Sequence, residues 1–460
     1  MSHVAIVGGG IAGLSAAYEL AKRSVPFQIF EASHRFGGIV ETEHHDGFVM
    51  ECGPDGWITE KPWARELAIE LGLADDLIAS NDATRITWIY RDGQLHAIPE
   101  GMRMMVPTNL NALRYSALFS QEAIEAYERE PSRAHELKQY AADHAGTDES
   151  VANFIRRHFG EEVTRTIAAP LLAGVFGGDV GTLSAEAVMP QFVSMEREHG
   201  SLINALTART SANAQPVFTS LRNGLGTLID SIVVTLPQQS QKLHHTVAAI
   251  KHENAHWHVE ASGEWRAFDH LILATPAHVT RTLLSSIDTE AAALLDMPAS
   301  SAVLVALAFT AEQSQNIQIP AGFGFLVPPK TQGSGLLAAT FVDQKFPHRV
   351  PPGGRLLRAF FGSATAEQMQ SETDAYIAAV AHAQLCDLLG TQLPEPSHTV
   401  VRRWPQSLPQ YTVGHRARMR RLDERIALQP ALTLLGNAYR GVGLPDLIRD
   451  GRATAASIAT

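Results

Sequence analysis

The chain has 460 residues, about three domains at roughly 150 residues each, and its 45% hydrophobic and 18% charged residues are typical of globular proteins. This composition excludes an intrinsically disordered chain, a collagen and a disulfide-rich scaffold. With 37 Lys and Arg against 48 Asp and Glu, the net charge is −11. Nucleic acids and anionic lipids are therefore disfavoured as general partners, because polyanions bind clustered positive charge.

A glycine-rich turn follows the first predicted strand. Val4–Val7 is apolar throughout, as in a buried parallel strand, and the apolar residues of Ile11–Lys22 recur at helical spacing. Between them lies a GxGxxG motif formed by Gly8, Gly10 and Gly13. In dinucleotide-binding folds these glycines allow a tight turn, the approach of a pyrophosphate to the backbone, and close helix–strand packing. The helix then directs free N–H groups and its positive dipole end at the phosphates.

A second predicted strand, 25–30, is followed by Glu31, which lies 18 residues after Gly13. A carboxylate at this place can accept hydrogen bonds from a ribose 2′-OH. The order strand, glycines, helix, strand and acid therefore predicts a dinucleotide site. A plain βαβ unit, the alternative, needs neither the three glycines nor the acid. Downstream, 35–38 (RFGG) predicts a second glycine turn, which resembles the signature of FAD-dependent amine-oxidase-like proteins and favours FAD over NAD.

The middle of the chain changes in character along its length. Residues 98–216 are mostly helical by pattern, 301–401 mixes strands and helices, and 269–276 predicts a strand that returns to the first sheet. Three histidines, His252, His256 and His258, cluster in one segment, where the last two share a face of a predicted strand. No carboxylate or cysteine completes a convincing ligand set with them. We therefore predict a solvated hairpin face and no metal site.

The C-terminal end repeats the order of strand, glycine-rich turn and helix. Residues 432–435 (LTLL) form a mainly apolar predicted strand, and a turn beginning at Gly436 leads to Pro445. The pattern from Pro445 to Ile458 is helical, and proline suits the first turn of a helix. A helix start flanked by glycine can direct N–H groups and its dipole at an anionic flavin ring. Two such helix starts at opposite ends of the chain suit one long cofactor.

No segment is typical of membrane insertion or secretion. The longest uninterrupted apolar stretch, 302–309, is far shorter than the about 18 residues expected of a transmembrane helix. Val4–Val7 lacks the basic residues that precede the core of a signal peptide. The two cysteines, Cys52 and Cys386, form no CxxC motif and suit a reducing compartment. We expect a soluble cytoplasmic enzyme, with peripheral contact to the inner membrane face left open.

Motifs spread over nearly the whole chain carry a more specific resemblance. They are 51–56 (ECGPDG), 61–63 (KPW), 149–154 (ESVANF), 177–184 (GGDVGTLS), 195–198 (MERE), 322–328 (GFGFLVP), 403–411 (RWPQSLPQY) and 436–446 (GNAYRGVGLPD). With these motifs the sequence resembles the oxygen-dependent porphyrinogen oxidases of heme biosynthesis, which comprise protoporphyrinogen IX and coproporphyrinogen III oxidases. Asn437 fits this resemblance, because the broader amine-oxidase group usually carries an acid there. Cys52 departs from it, since that position is commonly polar or charged.

The resemblance implies the fold and the domain organisation. It implies an α/β protein, α+β overall, with a discontinuous Rossmann-like FAD-binding domain. This domain is formed by 1–97, 217–290 and 416–460. A mixed-sheet substrate-binding domain spans 291–415. A mostly helical domain, with membrane contact left open, spans 98–216.

The resemblance also implies the residues that contact FAD. They are Gly8, Gly9, Gly10, Ile11, Ala12, Gly13, Glu31, Ala32, Arg35, Gly38, Ile39, Gly53, Pro54, Asp55, Gly56, Val247, Trp404, Val442, Gly443 and Leu444. Residues 53–56 would pass beside the flavin ring, Val247 would contact the adenine through its backbone, and Trp404 would help to complete the flavin pocket. Without the family context, Trp404 alone would be interpreted as an aromatic core residue.

Four residues are candidates for substrate contact. Lys61 matches a basic position near the substrate in bacterial relatives and is predicted to bind a propionate; a solvated lysine at a helix start is the alternative. Phe323, Phe325 and Leu326 are predicted to form an apolar wall for a flat macrocycle, with core-strand packing as the alternative.

The implied reaction is the oxidation of a porphyrinogen to the porphyrin. The substrate would lose six electrons to FAD, two at a time, by hydride transfer from a bridge carbon to flavin N5. O2 would then reoxidise the flavin with release of H2O2. Because the cofactor carries this chemistry, no catalytic residue is assigned. A flavin amine oxidase, a carotenoid-type desaturase and a non-catalytic flavin-binding protein are the other hypotheses.

Overall fold

The computed structural model describes residues 3–208, 216–329, 331 and 334–459. Its first sheet has five parallel strands. In spatial order they are Gln241–Lys242, Phe27–Phe30, Val4–Val7, His270–Leu273 and Leu432–Leu434. The central strand, Val4–Val7, is at most 5% exposed at every residue. It is covered on both faces, which explains why its sequence is apolar throughout instead of alternating.

Both faces of this sheet carry hydrophobic cores. One face packs against the helices Ile11–Lys22, Gly226–Thr235 and Leu444–Ile458. The other packs against an antiparallel three-stranded sheet and three helices. These are Val247–Glu253, His256–Ala261 and Glu264–Phe268, with Ala277–Leu284, Thr289–Leu294 and His415–Ile426. The predicted N-terminal strand and helix are confirmed at their predicted bounds, and the ends of the other predicted strands of this sheet are confirmed to within three residues.

The second sheet has seven strands and is mixed. In spatial order they are His398–Pro409, Ala299–Phe309, Arg355–Gly362, Leu336–Phe341, Gly324–Leu326, Thr87–Arg91 and Gln94–Ala97. Its one parallel pair joins Gly324–Leu326 to Thr87–Arg91. The two strands within 87–97 therefore belong to this sheet and not to the parallel one. The sequence prediction had placed them in the FAD-binding domain, within the segment 1–97. We propose to assign 87–97 to the substrate-binding domain.

The predicted helical region contains mainly helices, as expected. They are Leu110–Leu113, Gln121–Arg129, Ala134–Asp143, Val151–Val163, Ala169–Phe176, Ala185–Val188, Pro190–His199 and Leu202–Ala208, with a π-helical turn over Thr164–Ala168. All of these helices except Ala134–Asp143 contribute residues to one hydrophobic core. The short hairpin of Met102–Arg103 and Val106–Pro107 precedes them, and 209–215 lies outside the described residues. Among the helices that the structure describes, none has both the length and the apolar character needed to cross a membrane.

The remaining elements lie outside the two large sheets. The strands are Thr42–His45 with Phe48–Glu51, and Trp57–Ile58 with Phe218–Leu221 and Leu77–Ala79. The helices are Trp63–Glu70, Ala311–Ser314, Val342–Lys345, Ser363–Met369 and Asp374–Leu389, with 3-10 turns at Ala74–Asp76, Asp82–Thr84, Glu130–Arg133, Gln238–Ser240 and Pro347–Arg349. Phe48, Met50 and Cys52 share a core with Leu304 and Ala306 of the second sheet. The segment after Glu51 is therefore held between the two sheets.

Candidate functional site

The first part of the site is the turn between Val4–Val7 and Ile11–Lys22. Gly13 packs so closely against this turn that a Cβ there would overlap the carbonyl oxygen of Gly8. Gly10, in contrast, adjoins open space: apart from its chain neighbours, no heavy atom of the described residues lies within 4 Å of a Cβ built on it. Gly10 caps the helix without a side-chain hydrogen bond, so the first N–H groups of the helix have no intrahelical acceptor. An open space beside free N–H groups fits the pyrophosphate of the predicted FAD.

Glu31 lies beside this turn, at the end of Phe27–Phe30. Its two carboxylate oxygens accept hydrogen bonds from the backbone N–H groups of Gly9 and Ser33, each at 2.8 Å. The carboxylate is therefore held at the end of its strand, and each oxygen retains a lone pair for a further donor. Ala32 is exposed next to it, and Val247, 8% exposed, begins a strand of the antiparallel sheet.

Arg35 braces the second glycine turn. Its guanidinium donates to the carbonyl oxygens of Phe36, Val40 and Gly38 at 3.1, 3.2 and 2.7 Å, and to the carboxylate of Glu41 at 3.0 Å. The turn lies against the first one, since Gly37 donates its N–H to the carbonyl of Gly9 at 2.8 Å. Gly38 and Ile39 are left exposed. The structure thus brings both predicted glycine turns together.

The 53–56 segment continues from this place. A Cβ on Gly53 would overlap the carbonyl oxygen of Ile39, so only glycine permits this approach. Trp404, on a strand of the second sheet, donates its indole N–H to the carbonyl of Cys52 at 2.7 Å. The guanidinium carbon of Arg35 lies 6.0 Å from the centre of the Trp404 ring. The predicted cofactor residues of the two sheets therefore meet at one place, with Pro54 and Gly56 partly buried beside them.

Asp55 turns its carboxylate toward the second sheet. Lys345 donates to both carboxylate oxygens at 3.0 and 2.9 Å, and an Arg358 nitrogen lies 3.3 Å from one of them. Burial alone would raise the pKa of Asp55, but the charges of Lys345, Arg358 and Arg349 hold it well below its usual range. Asp55 is therefore ionised, and its side chain is occupied by this ion pairing.

The C-terminal turn is held by one hydroxyl group. Tyr411 donates its hydroxyl to the carbonyl of Asn437 at 2.6 Å and accepts from the N–H of Gly441 at 3.0 Å. The Tyr411 ring stacks on His415 at 3.9 Å between centroids, and burial lowers the pKa of His415 to about 4. A neutral imidazole thus supports the tyrosine near pH 7.

The helix Leu444–Ile458 begins at this turn. Gly443 caps it without a side-chain hydrogen bond, as Gly10 caps the first helix, and Pro445 lies in its first turn. Val442 and Gly443 are partly buried and Leu444 is buried. The predicted glycine-flanked helix start is confirmed in form, and its contact with a flavin stays a prediction.

Lys61 reaches this helix. Its ammonium donates to Asp446, three positions into the helix, at 2.6 Å. The Lys61 side chain is 42% exposed, whereas that of Asp446 is only 8% exposed. The predicted substrate lysine is therefore neither purely solvated nor free. One of its three N–H donors is occupied, and the others are available to a ligand.

The three residues predicted to form the apolar wall lie in three different surroundings. Phe325 is 1% exposed and packs in the core of the second sheet, 6.1 Å from the Phe341 ring, which is the core-strand alternative. Leu326 points to the opposite face and packs against the helical core. Phe323 is 7% exposed, with its ring 6.5 Å from that of Phe218. Only Phe323 and Leu326 remain candidates for a substrate wall.

One group of side chains is close enough together to bind a metal ion, but an arginine already pairs with its two glutamates. Glu41, Glu43 and Cys52 bring ligand atoms within 4.8 Å of one another. Arg402 donates to the carboxylates of both glutamates. Burial raises the pKa of the Cys52 thiol to about 12, so the thiolate form is disfavoured. The predicted histidine segment lies in the antiparallel three-stranded sheet. His252 is in Val247–Glu253, and His256 and His258 are in the middle strand, His256–Ala261, which pairs with Glu264–Phe268 on its other edge.

Sequence reasoning missed four residues that shape the site, namely Tyr411, Lys345, Arg358 and Asp446. Tyr411 and Asp446 lie within motifs that were recognised, but their partners are distant in sequence. Lys345 and Arg358 lie in segments without a recognised motif. For Arg358 one signal was available, because it is a charged residue within the otherwise apolar part of the strand Arg355–Gly362.

The chain was compared with known proteins and structures. Residues 11–459 match the family described as flavin containing amine oxidoreductase. The chain is 31% identical over 474 residues to the coproporphyrinogen III oxidase of Bacillus subtilis, covering 100% of this chain and 98% of the relative. It is 28% identical to human protoporphyrinogen oxidase, with 99% and 98% coverage. A crystal structure from Exiguobacterium sp. 255-15 matches with a TM-score of 0.85 at 30% identity, over 100% and 98% of the two chains.

These matches confirm the predicted α/β fold, the predicted cofactor FAD and the predicted class of flavin-dependent oxidoreductase. The matches to the B. subtilis relative and to the Exiguobacterium structure extend over both glycine-rich helix starts and both sheets. The chain belongs to the flavin-containing amine oxidoreductase family and, within it, to the group of the coproporphyrinogen III and protoporphyrinogen oxidases.

Proposed function

We propose that this protein oxidises a porphyrinogen of heme biosynthesis, coproporphyrinogen III or protoporphyrinogen IX, to the porphyrin. The observation that carries the proposal is the similarity to the B. subtilis coproporphyrinogen III oxidase, which extends over the full length of both chains. The site supports it, because the contacts at both glycine turns, at 53–56 and at the C-terminal helix converge between the two sheets.

The chain's own residues would bind and orient FAD. The N–H groups of the first turn of Ile11–Lys22 would hold the pyrophosphate, and Glu31 would accept from the ribose. Residues 53–56, Trp404 and 442–444 would enclose the flavin ring. When bound, FAD accepts a hydride from the substrate. Arg35 would act as a positioning residue, since its guanidinium is used by the turn that it braces.

The overall reaction would use O2 as the final electron acceptor. Porphyrinogen and three O2 give porphyrin and three H2O2, so that six hydrogen atoms leave the macrocycle in three two-electron steps. No acid–base residue is assigned, because formation of the aromatic ring drives the loss of protons.

Lys61 would bind a propionate of the substrate, next to a wall formed by Phe323 and Leu326. The Lys61 ammonium is anchored to Asp446 at 2.6 Å and remains partly exposed. This local cation is needed because the net charge of −11 repels carboxylated tetrapyrroles. Substrate capture would therefore depend on local cations and not on the overall field.

The test is an assay of the purified, FAD-loaded protein in air with coproporphyrinogen III, protoporphyrinogen IX or simple amines. We expect porphyrin fluorescence and H2O2 in a ratio of one to three with at least one porphyrinogen. A reaction without enzyme measures autoxidation, and an anaerobic reaction should stop after the flavin is reduced. Turnover of amines alone, or no oxidation despite bound FAD, would overturn the proposal.

A further inference from the structure

Five charged side chains lie behind the 53–56 segment, on the side of the second sheet. We call Glu51, Asp55, Lys345, Arg349 and Arg358 the buried charge cluster. Glu51, Lys345, Arg349 and Arg358 are at most 8% exposed, and the Asp55 side chain is 15% exposed. Charged residues at such depth are costly unless they are paired or serve a purpose.

The positive charges of this cluster exceed the negative ones. Lys345 and Arg358 pair with Asp55, and Arg349 pairs with Glu51 at 2.7 Å. Three cations against two carboxylates leave one net positive charge. Consistent with this excess, Nε and one terminal nitrogen of Arg349, and Nε of Arg358, are buried without a hydrogen-bond partner among the described residues. The cluster therefore carries one unbalanced positive charge, and its side chains are buried away from water.

The cluster is attached to the segment that it lies behind. Arg358 donates a hydrogen bond to the carbonyl of Gly53. Ser220 donates to the carbonyl of Asp55 at 2.7 Å and accepts from Arg349 at 2.6 Å. The same segment also lies against Ile39 of the second glycine turn, through Gly53. The segment thus contacts both the cluster and the second glycine turn, which is predicted to bind FAD.

We propose that the buried charge cluster acts as a fixed positive charge that raises the reduction potential of the bound FAD. The inference rests on the proposed placement of the flavin beside 53–56. Reduction by two electrons with uptake of one proton leaves one negative charge on the flavin ring. A preorganised positive charge nearby favours this form over the neutral oxidised form, most strongly at low effective dielectric. Lys345, Arg349 and Arg358 would act on the flavin through their charge and need not touch the substrate.

The test measures the two-electron reduction potential of the bound FAD by equilibration with a redox dye. Lys345→Met removes one positive charge, and Asp55→Asn removes one negative charge. A unit charge about 12 Å away, acting through an effective dielectric of about 20, changes such an equilibrium by about tenfold. We expect the constant for flavin reduction to fall about tenfold in Lys345→Met and to rise about tenfold in Asp55→Asn. These changes correspond to shifts of about 30 mV in opposite directions.

Two controls separate charge from structure. Lys345→Arg keeps the charge and should keep the wild-type potential. Arg355→Met is the matched control. Arg355 is also a cation paired with a carboxylate, that of Asp343, but it lies outside the cluster, at the start of the strand Arg355–Gly362. The variant should leave the potential unchanged.

Opposite shifts in Lys345→Met and Asp55→Asn would support the proposal. Shifts of the same sign, or no shift in either variant, would overturn it and leave the cluster a purely structural role. If Lys345→Met does not retain FAD, Arg349→Met makes the same change of charge. No porphyrinogen is used, so a failure of the proposed substrate assignment would not alter the result.

Discussion

Lys61 and Asp446 are 385 residues apart in sequence, yet the Lys61 ammonium lies 2.6 Å from the Asp446 carboxylate. Asp446 is buried at the start of the last helix, and Lys61 follows a short strand of the N-terminal region. The pair joins the two ends of the chain at the candidate site. It also fixes an ammonium group that would otherwise be a mobile surface cation.

Lys61→Ala is expected to raise KM for the porphyrinogen about tenfold and to lower kcat by less. A hydrogen bond to a charged group contributes about 1.5–3 kcal/mol, and a propionate contact distant from the reacting carbon affects binding more than the chemical step. Steady-state kinetics at saturating O2 measure both constants. Lys22→Ala, which removes a lysine paired with Glu70, is the matched control. An unchanged KM in Lys61→Ala would remove Lys61 from the substrate site.

Tyr411→Phe is expected to weaken FAD binding by roughly tenfold and to lower the free energy of unfolding by about 1–3 kcal/mol. The variant keeps the ring that stacks on His415 but removes the hydroxyl that joins Asn437 to Gly441. Titration of the apoprotein with FAD, followed by flavin fluorescence, gives the affinity. Tyr376→Phe, at an exposed tyrosine, should change neither quantity. Wild-type affinity in Tyr411→Phe would show that the turn needs no such support.

Glu31→Gln is expected to weaken FAD binding about tenfold. The amide keeps one oxygen acceptor, so either Gly9 or Ser33 loses its partner, and the charge that would bind a ribose hydroxyl is removed. The same titration of apoprotein measures the effect. Glu253→Gln, on the exposed hairpin, is the control. If Glu31→Gln binds FAD as wild type does, the ribose contact must be made elsewhere.

His158→Gln is expected to lower the free energy of unfolding by about 3 kcal/mol at pH 7. The two ring nitrogens of buried His158 lie 2.9 Å from Glu130 and 3.0 Å from Glu196. Burial would raise the pKa of Glu196, but His158 and Arg157 lower it below its usual 4.5. A lowered carboxylate pKa stabilises the folded protein above about pH 4.5, and this stabilisation is lost as the pH falls.

The difference between wild type and His158→Gln should therefore narrow below pH 4.5, because His158 is the main cause that lowers the pKa of Glu196. Urea unfolding at pH 7, 5 and 4 measures this difference. His199→Gln, at an exposed histidine, should be neutral throughout. A difference that stays constant from pH 7 to pH 4 would contradict the coupling.

Elements whose signals are local could be predicted from the amino-acid sequence alone. The N-terminal strand, its three glycines and the following helix lie within 19 residues, so their steric requirements are visible in order. The second strand starts at Phe27, two residues later than predicted. The reason is that the chain is still turning at Ser24, which has a φ of 55°, and that the N–H of Val25 bonds back to the helix, to the carbonyl of Leu20. Local periodicity does not show such a turn.

Contacts between residues that are distant in sequence depend on how the elements pack together. Strands 87–97 joined the second sheet because their neighbour is Gly324–Leu326, more than 200 residues away. The alternation within Gly324–Leu326 then placed Phe325 in the core and Leu326 toward the helices. Asp55 met Lys345 and Arg358 for the same reason, since ion pairs depend on register and packing between elements. Sequence patterns therefore identified the cofactor turns, whereas long-range packing determined their partners and the charge behind them.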